Sequence, residues 1–268
     1  MNKLNLIQEI EKKLLGVSET PFLDAKFFVE GCEQKGVLIS ENLIDDFIER
    51  RKKKEPVSKI IESRGFWALD FYVTKDVLDP RPDSETLIEA VLEQFPDKQR
   101  DLSILDIGTG SGCLLVSLLY EYKNAVGTGV DISLKALEVA KKNALPYKAS
   151  FYEKDFYSSD FQKGLARYDI IISNPPYIKT DEVLQLEDNV RLYDPLLALD
   201  GGKDGLEAYR RLAVVIKLIL KENGFVFFEI GKGQAQDVIS IMQSSGFEFL
   251  KSYKDLGQIE RVLVFRLH

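Results

Sequence analysis

The sequence has 268 residues, 45% of them hydrophobic, and its 36 Lys and Arg against 43 Asp and Glu give a formal net charge of −7 at pH 7. This length suits one large domain with a small companion, and the acidic balance argues against a general nucleic-acid-binding protein. The two cysteines lack the spacing of a disulfide or metal site, and the sole histidine is the last residue, which argues against histidine-based catalysis or metal binding.

Residues 1–64 are predicted to form a small helical bundle. Apolar residues recur at helical spacing from Leu4 to Leu14, and Thr20-Pro21 and Ser40-Glu41 are typical helix starts. The beginning of the chain lacks the apolar core of a signal peptide, and no apolar run is long enough to span a bilayer, so we expect a cytoplasmic protein without a membrane segment. Composition alone leaves open whether the bundle is structural or holds a macromolecular partner.

The hydrophobic period changes from helical to strand-like at Gly65. We assign residues 65–79 to a β-hairpin linker and residues 80–268 to an α/β domain, in which about seven strands alternate with helices and the last two strands form a hairpin. Arg81, between two prolines, is either a linker arginine or a lip over the mouth of a site. Later in the chain we expect a long polar loop over 179–204, a helix over 206–221 and a strand over 225–230.

A glycine-rich turn after the first strand of this domain predicts a nucleotide-cofactor site. The strand over 103–106 precedes a G-x-G-x-G turn and a leucine-rich helix, and glycines at such a turn let a ligand approach the backbone. The spacing differs from the G-x-G-x-x-G of dinucleotide sites. Asp106 could attract the ammonium of a cofactor with an amino-acid end, such as S-adenosylmethionine, directly or through water. The candidate cofactor-binding residues here are Asp106, Gly108, Thr109, Gly110, Ser111 and Gly112.

The next two strands end in further candidate cofactor residues. Asp131 closes the second strand, where an acid is placed to bind both ribose hydroxyls, although a helix-capping role is also reasonable. Asp155 and Phe156 follow the third strand, where an acid and an aromatic ring could hold the edge and face of an adenine.

The fourth strand carries the most informative pattern in the chain. The buried run Asp169–Ser173 ends abruptly at Asn174-Pro175-Pro176-Tyr177, because prolines cannot continue a sheet ladder. The Asn174 carbonyl and the Pro175 carbonyl are two acceptors that could grip the hydrogens of a planar –NH2 group. Such bonds favour the pyramidal geometry of an attacking nitrogen, and Tyr177 offers a flat face to a planar substrate. A strand-ending turn with an exposed aromatic residue is the alternative interpretation.

Together these motifs resemble the release-factor glutamine methyltransferases of the HemK/PrmC family, which are class-I S-adenosylmethionine-dependent enzymes. The resemblance covers nearly the whole chain. It is carried by Gly65-Phe66-Trp67, Pro80–Glu85, Asp106–Gly112, Asn174–Tyr177, Leu197–Leu206 and Glu229-Ile230-Gly231. Two departures are Phe156, where relatives frequently have tryptophan, and Tyr193-Asp194-Pro195, where many have Glu-Pro.

The resemblance implies a reaction and a set of roles. S-adenosylmethionine would be held by the glycine turn, Asp131, Phe156 and Asn174, and would leave as S-adenosylhomocysteine. Asn174 and Pro175 would be catalytic, and the substrate would also meet Pro176, Tyr177 and Arg81. The bundle 1–64 would dock a peptide chain release factor, whose Gly-Gly-Gln glutamine would become N5-methylglutamine and so tune translation termination.

The resemblance implies no metal, no membrane and no stable nucleic-acid partner. Three alternatives remain at this point: an amino-methyltransferase acting on adenine or cytosine, a methyltransferase acting on a ribosomal-protein glutamine, and a non-catalytic binding module. The helical front domain and the acidic charge disfavour the first, and the intact Asn174, Asp131 and glycines disfavour the last.

Overall fold

A computed structural model describes residues 2–267, so that Met1 and the single histidine, His268, lie outside the described residues. The first part of the chain is helical, as predicted, with α1 (Lys3–Leu14), α2 (Pro21–Gln34), α3 (Glu41–Lys52) and α4 (Val57–Ile60). Phe28 and Phe47 stack at the centre of this bundle with their ring centroids 4.1 Å apart. Between residues 2 and 267, no helix has both the length and the apolar content needed to cross a membrane.

A short antiparallel hairpin links the bundle to the rest of the chain. It consists of β1 (Arg64–Phe66) and β2 (Leu69–Phe71), and it begins one residue before the segment 65–79 that we assigned to a hairpin linker. Phe66 and Phe71 are both buried in the core of the α/β region, so the hairpin is packed against that region. We propose residues 1–64, 65–79 and 80–268 as the bounds of bundle, linker and α/β domain.

The remaining strands form one seven-stranded sheet, in the order β5-β4-β3-β6-β7-β9-β8. Strands β3 to β7 are parallel, whereas β9 runs antiparallel to both β7 and β8, which gives the predicted C-terminal hairpin. The strands are β3 (Ser103–Ile107), β4 (Val126–Asp131), β5 (Ala149–Glu153), β6 (Tyr168–Ser173), β7 (Leu220–Glu229), β8 (Phe247–Lys254) and β9 (Glu260–Leu267). This topology confirms the expected Rossmann-like α/β class.

Helices cover both faces of the sheet and enclose two buried apolar cores. Helices α5 to α7 pack on one face, whereas α10 and α11 pack on the other, because the sequence alternates β and α units. The helices are α5 (Glu85–Gln94), α6 (Cys113–Glu121), α7 (Leu134–Asn143), α8 (Thr180–Val183), α9 (Asp188–Arg191), α10 (Glu207–Val215) and α11 (Ala235–Ser244).

The structure corrects two local predictions. Strand β7 begins at Leu220 rather than at residue 225, and the predicted helix over 206–221 ends at Val215, followed by a 3-10 turn. Leu220 is fully buried opposite Tyr168 in the parallel ladder, so sheet pairing overrides the helical pattern. The loop over 179–204 is not free of secondary structure, because it contains α8, α9 and a 3-10 turn at Leu196–Ala198.

Candidate active site

A cavity of about 380 Å³ lies at the carboxyl ends of β3, β4, β5 and β6. Ligands of open α/β sheets bind at this edge, and the volume falls within the usual range for small-molecule sites. Its walls include most of the residues predicted to hold a cofactor, namely Gly108, Thr109, Gly110, Ser111, Asp131, Phe156 and Asn174. Gly112 lies just beyond this wall, at the start of α6.

The glycine turn after β3 is fixed by backbone bonds to the end of β4. The N–H groups of Gly108 and Thr109 donate to the Val130 carbonyl at 2.9 and 3.0 Å. The Gly110 N–H donates to Asp131 Oδ2 at 2.9 Å. Gly110 has a φ of +55°, which glycine adopts without strain, and nothing lies within 4 Å of where a Cβ would be. The turn therefore presents bare backbone to open space.

Asp131 lies in the cavity wall and also supports the turn into α7, whereas its contact with a ribose stays a prediction. Its Oδ1 accepts the Ser133 N–H at 2.9 Å, which stabilises the turn into α7, and its side chain also lines the cavity. Burial raises the pKa of this carboxyl, and the N–H groups of Ser133 and Gly110 oppose that rise. Each carboxylate oxygen keeps a further lone pair, so ligand hydroxyls can still be bound.

Asp106 lies beneath the glycine turn rather than in the cavity wall. It is 1% exposed, and its Oδ2 accepts the Thr109 hydroxyl at 2.6 Å. Its Oδ1 has no hydrogen-bond partner among residues 2–267, and burial raises its pKa to about 7. Its contact with a cofactor ammonium stays a prediction.

The segment after β5 places Phe156 in the cavity wall. Asp155 Oδ1 accepts the Tyr157 N–H at 2.8 Å, and the rings of Phe156 and Tyr157 lie 4.6 Å apart. Arg211, on α10, donates from Nε to the Phe156 carbonyl at 2.6 Å and also binds the Ser158 carbonyl. Sequence reasoning missed Arg211, because no local pattern connects α10 with this turn.

The Asn-Pro-Pro-Tyr corner stands between two cavities. A second cavity of about 180 Å³ adjoins the first, and the two share Arg81 and Asn174 in their walls. Pro176 lines the larger cavity and Tyr177 the smaller one, whereas Pro175 is buried and lines neither, so that its carbonyl as an acceptor stays a prediction. The corner thus forms part of the wall of both cavities.

The long segment after the corner is bound to it by backbone contacts. The Ile178 N–H donates to Leu199 O at 3.0 Å, and the Gly201 N–H donates to Ile178 O at 2.8 Å. A Cβ at Gly201 would lie 2.7 Å from the Pro176 carbonyl oxygen, so only glycine fits there. Gln234 Nε2 donates to Tyr177 O at 3.0 Å. The Gly-Gly segment therefore buttresses the corner.

A group of four charged side chains, three of them buried, joins the bundle to the wall of the site. Lys59 Nζ lies 2.8 Å from Asp79 Oδ1 and 3.3 Å from Asp194 Oδ1, and Arg81 also pairs with Asp194. Burial raises the pKa of Asp194, and the charges of Lys59 and Arg81 oppose that rise. Arg81 therefore lines both cavities and is also the partner of Asp194, whereas its role as a lip stays a prediction.

No group of three or more His, Cys, Asp or Glu side chains within the described part of the chain could hold a metal ion.

Comparison with known proteins places this geometry in a family. The methyltransferase small domain family matches residues 80–190. A methyltransferase structure from Pyrococcus furiosus shares the fold at a TM-score of 0.53 and 18% identity, covering 75% of this chain and 90% of that one. These matches confirm the class-I methyltransferase fold.

Two curated relatives are much closer in sequence. A release factor glutamine methyltransferase of Agrobacterium fabrum is 45% identical over 82% of this chain and 77% of its own length. One of Caulobacter vibrioides is 41% identical over 93% of this chain and 84% of its own length. The chain belongs to the release factor glutamine methyltransferase family.

Proposed function

We propose that this protein is an S-adenosylmethionine-dependent methyltransferase of peptide chain release factors. It methylates the side-chain amide nitrogen of the glutamine in their Gly-Gly-Gln motif, which gives N5-methylglutamine and tunes translation termination. Family membership supports the reaction, since relatives 45% and 41% identical bear the corresponding name. The structural observation behind the assignment is the position of Asn174 in the wall common to both cavities.

The larger cavity suits S-adenosylmethionine in shape and in chemistry. Asp131 offers carboxylate acceptors to the ribose, and Phe156 offers a ring face to the adenine. The bare backbone at Gly110 leaves room for the amino-acid end, with Asp106 beneath it as the nearby acid. When bound, the cofactor supplies a methyl group that is already activated by a positive sulfonium.

The protein's own part in the reaction is alignment and electrostatics. An amide nitrogen is a poor nucleophile because its lone pair is delocalised into the carbonyl. Asn174 Oδ1 and the Pro175 carbonyl accept the two amide hydrogens, which favours the pyramidal nitrogen of the transition state over the planar ground state. No strong base is needed, because the nitrogen becomes acidic once it is methylated and loses its proton to solvent. Tyr177, Pro176 and Arg81 border the substrate side of the corner.

The helical bundle is the proposed docking domain for the release factor. Helix α2 exposes Phe22, Leu23 and Phe27, and such apolar side chains on a helix surface suit contact with a protein partner. The substrate is a translation factor, which places the reaction in the cytoplasm.

Incubation with labelled S-adenosylmethionine and purified release factor, ribosomes or DNA tests this function. We expect label on the release factor, and none when its Gly-Gly-Gln glutamine is replaced by alanine. Asn174→Ala should abolish labelling while S-adenosylhomocysteine binding persists. Asn124→Ala is the matched control, because Asn124 is exposed in the turn before β4 and lines neither cavity. Label on ribosomes or DNA instead, or full turnover by Asn174→Ala, would refute the assignment.

A further inference from the structure

The orientation of the Asn174 carboxamide decides whether the Asn-Pro-Pro-Tyr corner can accept hydrogen bonds from a substrate –NH2 group. A carboxamide has an acceptor oxygen and a donor NH2 of nearly the same shape, so it can point either way. With Oδ1 toward the substrate it accepts from an –NH2 group, whereas with Nδ2 toward the substrate two donors face each other. A protein group behind Asn174 must therefore fix which end of the carboxamide, Oδ1 or Nδ2, faces the substrate.

Glu229 and Ser84 lie on the protein side of Asn174. Ser173 of β6 is in register with Phe228 of β7, so the next residues, Asn174 and Glu229, leave adjacent strands at the same edge. Glu229 is 2% exposed, and its Oε2 has no hydrogen-bond partner in the stretch from residue 2 to residue 267. Ser84, just before α5, is also buried.

A hydrogen bond joins Asn174 to Ser84, and both side chains act on the Glu229 carboxyl. Asn174 Nδ2 donates to Ser84 Oγ at 3.4 Å. A serine hydroxyl has a single hydrogen, and the side chains of Ser84 and Asn174 both lower the pKa of the Glu229 carboxyl, as donors beside a carboxylate do. An ionised carboxylate can only accept, so it draws the Ser84 hydrogen and the Asn174 NH2 toward itself.

We propose that Glu229 and Ser84 are positioning residues that hold the Asn174 carboxamide with Oδ1 facing the substrate nitrogen, an inference that rests on the proposed function. The Glu-Ile-Gly segment at the end of β7 thereby gains a role. The carboxylate acts through Asn174 and touches no reacting atom itself.

Two neighbours of this carboxylate, Arg261 and Tyr209, have partners of their own. Arg261, the nearest cation, is held by Asp83 at 3.0 Å and by Asp255 at 2.8 Å. The Tyr209 hydroxyl binds the backbone carbonyl of Glu229, not its side chain. Removing a buried carboxylate with an unpartnered oxygen and leaving an apolar side chain in its place is commonly neutral for stability.

The titration of the Glu229 side chain offers a second test of its positioning role. Burial raises its pKa to about 7, against the hydrogen bonds from Ser84 and Asn174 and the charge of Arg261. A protonated Glu229 carboxyl can donate a hydrogen bond to Ser84, and it then no longer determines which way the Asn174 carboxamide points. The other charged or titratable groups facing it are Asp83, Arg261, Tyr177, Tyr209 and Cys113. Burial raises the pKa values of both tyrosines and of the cysteine, so these three stay neutral where Glu229 titrates.

The test measures kcat for methylation of the full release factor, its KM, and the calorimetric affinity for S-adenosylhomocysteine. For Glu229→Met we expect kcat to fall roughly 10- to 100-fold with cofactor affinity unchanged, the scale by which a misplaced group slows an aligned reaction. Ser84→Ala should give a similar loss, and the double variant should lose no more than either single one, because the residues act as a unit. Glu229→Gln keeps an acceptor oxygen and should recover part of the rate.

The control is Glu222→Met, which makes the same change at an exposed position of the same strand and should match the wild type. The ratio of wild-type to Glu229→Gln kcat should fall as the pH is lowered from about 8 to about 6, since only the carboxyl titrates. Taking the ratio cancels Asp106, whose pKa is also about 7.

Three results would overturn the inference. The first is a wild-type kcat in both Glu229→Met and Ser84→Ala. The second is a loss of kcat that is matched by an equal loss of cofactor affinity. The third is a ratio of wild-type to Glu229→Gln kcat that does not change with pH. If Glu229→Met does not fold, Ser84→Ala decides alone. A wild-type enzyme that leaves the release factor unlabelled overturns the proposed function as well, whereas an active wild type with fully active variants overturns only the positioning role.

Discussion

Replacing Lys59 with methionine should destabilise the folded protein, because it leaves two buried carboxylates without their shared cation. The Lys59 side chain is 2% exposed, and Nζ lies 2.8 Å from Asp79 and 3.3 Å from Asp194. Nζ also donates to the carbonyls of Thr74, at 2.8 Å, and Val77. Four acceptors therefore lose one donor group.

The size of the effect follows from what remains. Removing one partner of a buried ion pair typically costs about 3–5 kcal/mol. Arg81 still pairs with Asp194, and the Ser58 hydroxyl still binds Asp79, so neither carboxylate is left wholly unpaired. We therefore expect a loss near the lower bound, about 3 kcal/mol in the free energy of unfolding. Acidification should recover part of it by protonating Asp194, whose carboxyl pKa is already raised by burial.

Urea unfolding followed by Trp67 fluorescence would measure this loss. Lys13→Met is the matched control, since Lys13 also bridges two acids of the bundle, Asp45 at 3.2 Å and Glu41 at 3.6 Å, but at the surface. Its replacement should change stability little, because solvent screens exposed pairs. Equal unfolding free energies for the two variants would refute the reasoning.

Three further predictions concern the cofactor site and pH. Asp131→Ala should weaken S-adenosylhomocysteine binding by roughly 10- to 100-fold, since charge-assisted bonds to the ribose are lost; unchanged calorimetric affinity would remove the ribose assignment. Arg211→Met should also weaken S-adenosylhomocysteine binding, because the turn carrying Phe156 loses its hydrogen bonds from α10. An unchanged calorimetric affinity would contradict this. The pKa values of Asp106 and Glu229 are raised to about 7 in the folded protein, so their stabilising contribution is complete below their unfolded values and is lost as pH rises through 7. The unfolding free energy should thus fall by about 1.4 kcal/mol per group between about pH 6 and about pH 8, and a flat profile that is unchanged by Asp106→Asn would disprove it.

Local patterns predicted the fold well where one residue run determines one element. The strand β6 and its abrupt end depend on a β-branched run followed by two prolines, which leaves little choice of structure. The start of β7 was missed because the stretch 216–220, apolar except for Lys217, suits either a helix or a strand, and only the pairing of Leu220 with Tyr168 decides between them.

The candidate site was predictable where its residues lie at the ends of strands, but not where distant segments meet. Asp131, Phe156 and Asn174 follow strand ends, and the carboxyl ends of parallel strands necessarily meet, so their convergence on one cavity could be expected. Ser84 meets Asn174 across 90 positions of sequence, and Arg81 meets Asp194 across 113. Contacts at such separations depend on how the helices pack, which no local period encodes.

The segment that follows the corner is pinned at its base and free at its tip. Thr180 donates from its N–H to Gly202 O at 3.1 Å and from its hydroxyl to Asp200 at 2.7 Å, while the side chain of Leu184, near the tip, is exposed. Because the base of the segment is held by these hydrogen bonds, residues at its tip can be changed without moving the base. Lengthening or grafting residues between 184 and 189, short of Val190 in the wall of the smaller cavity, would leave Asn174 where it is while reshaping the outer mouth, so substrate choice can diversify without disturbing the chemistry.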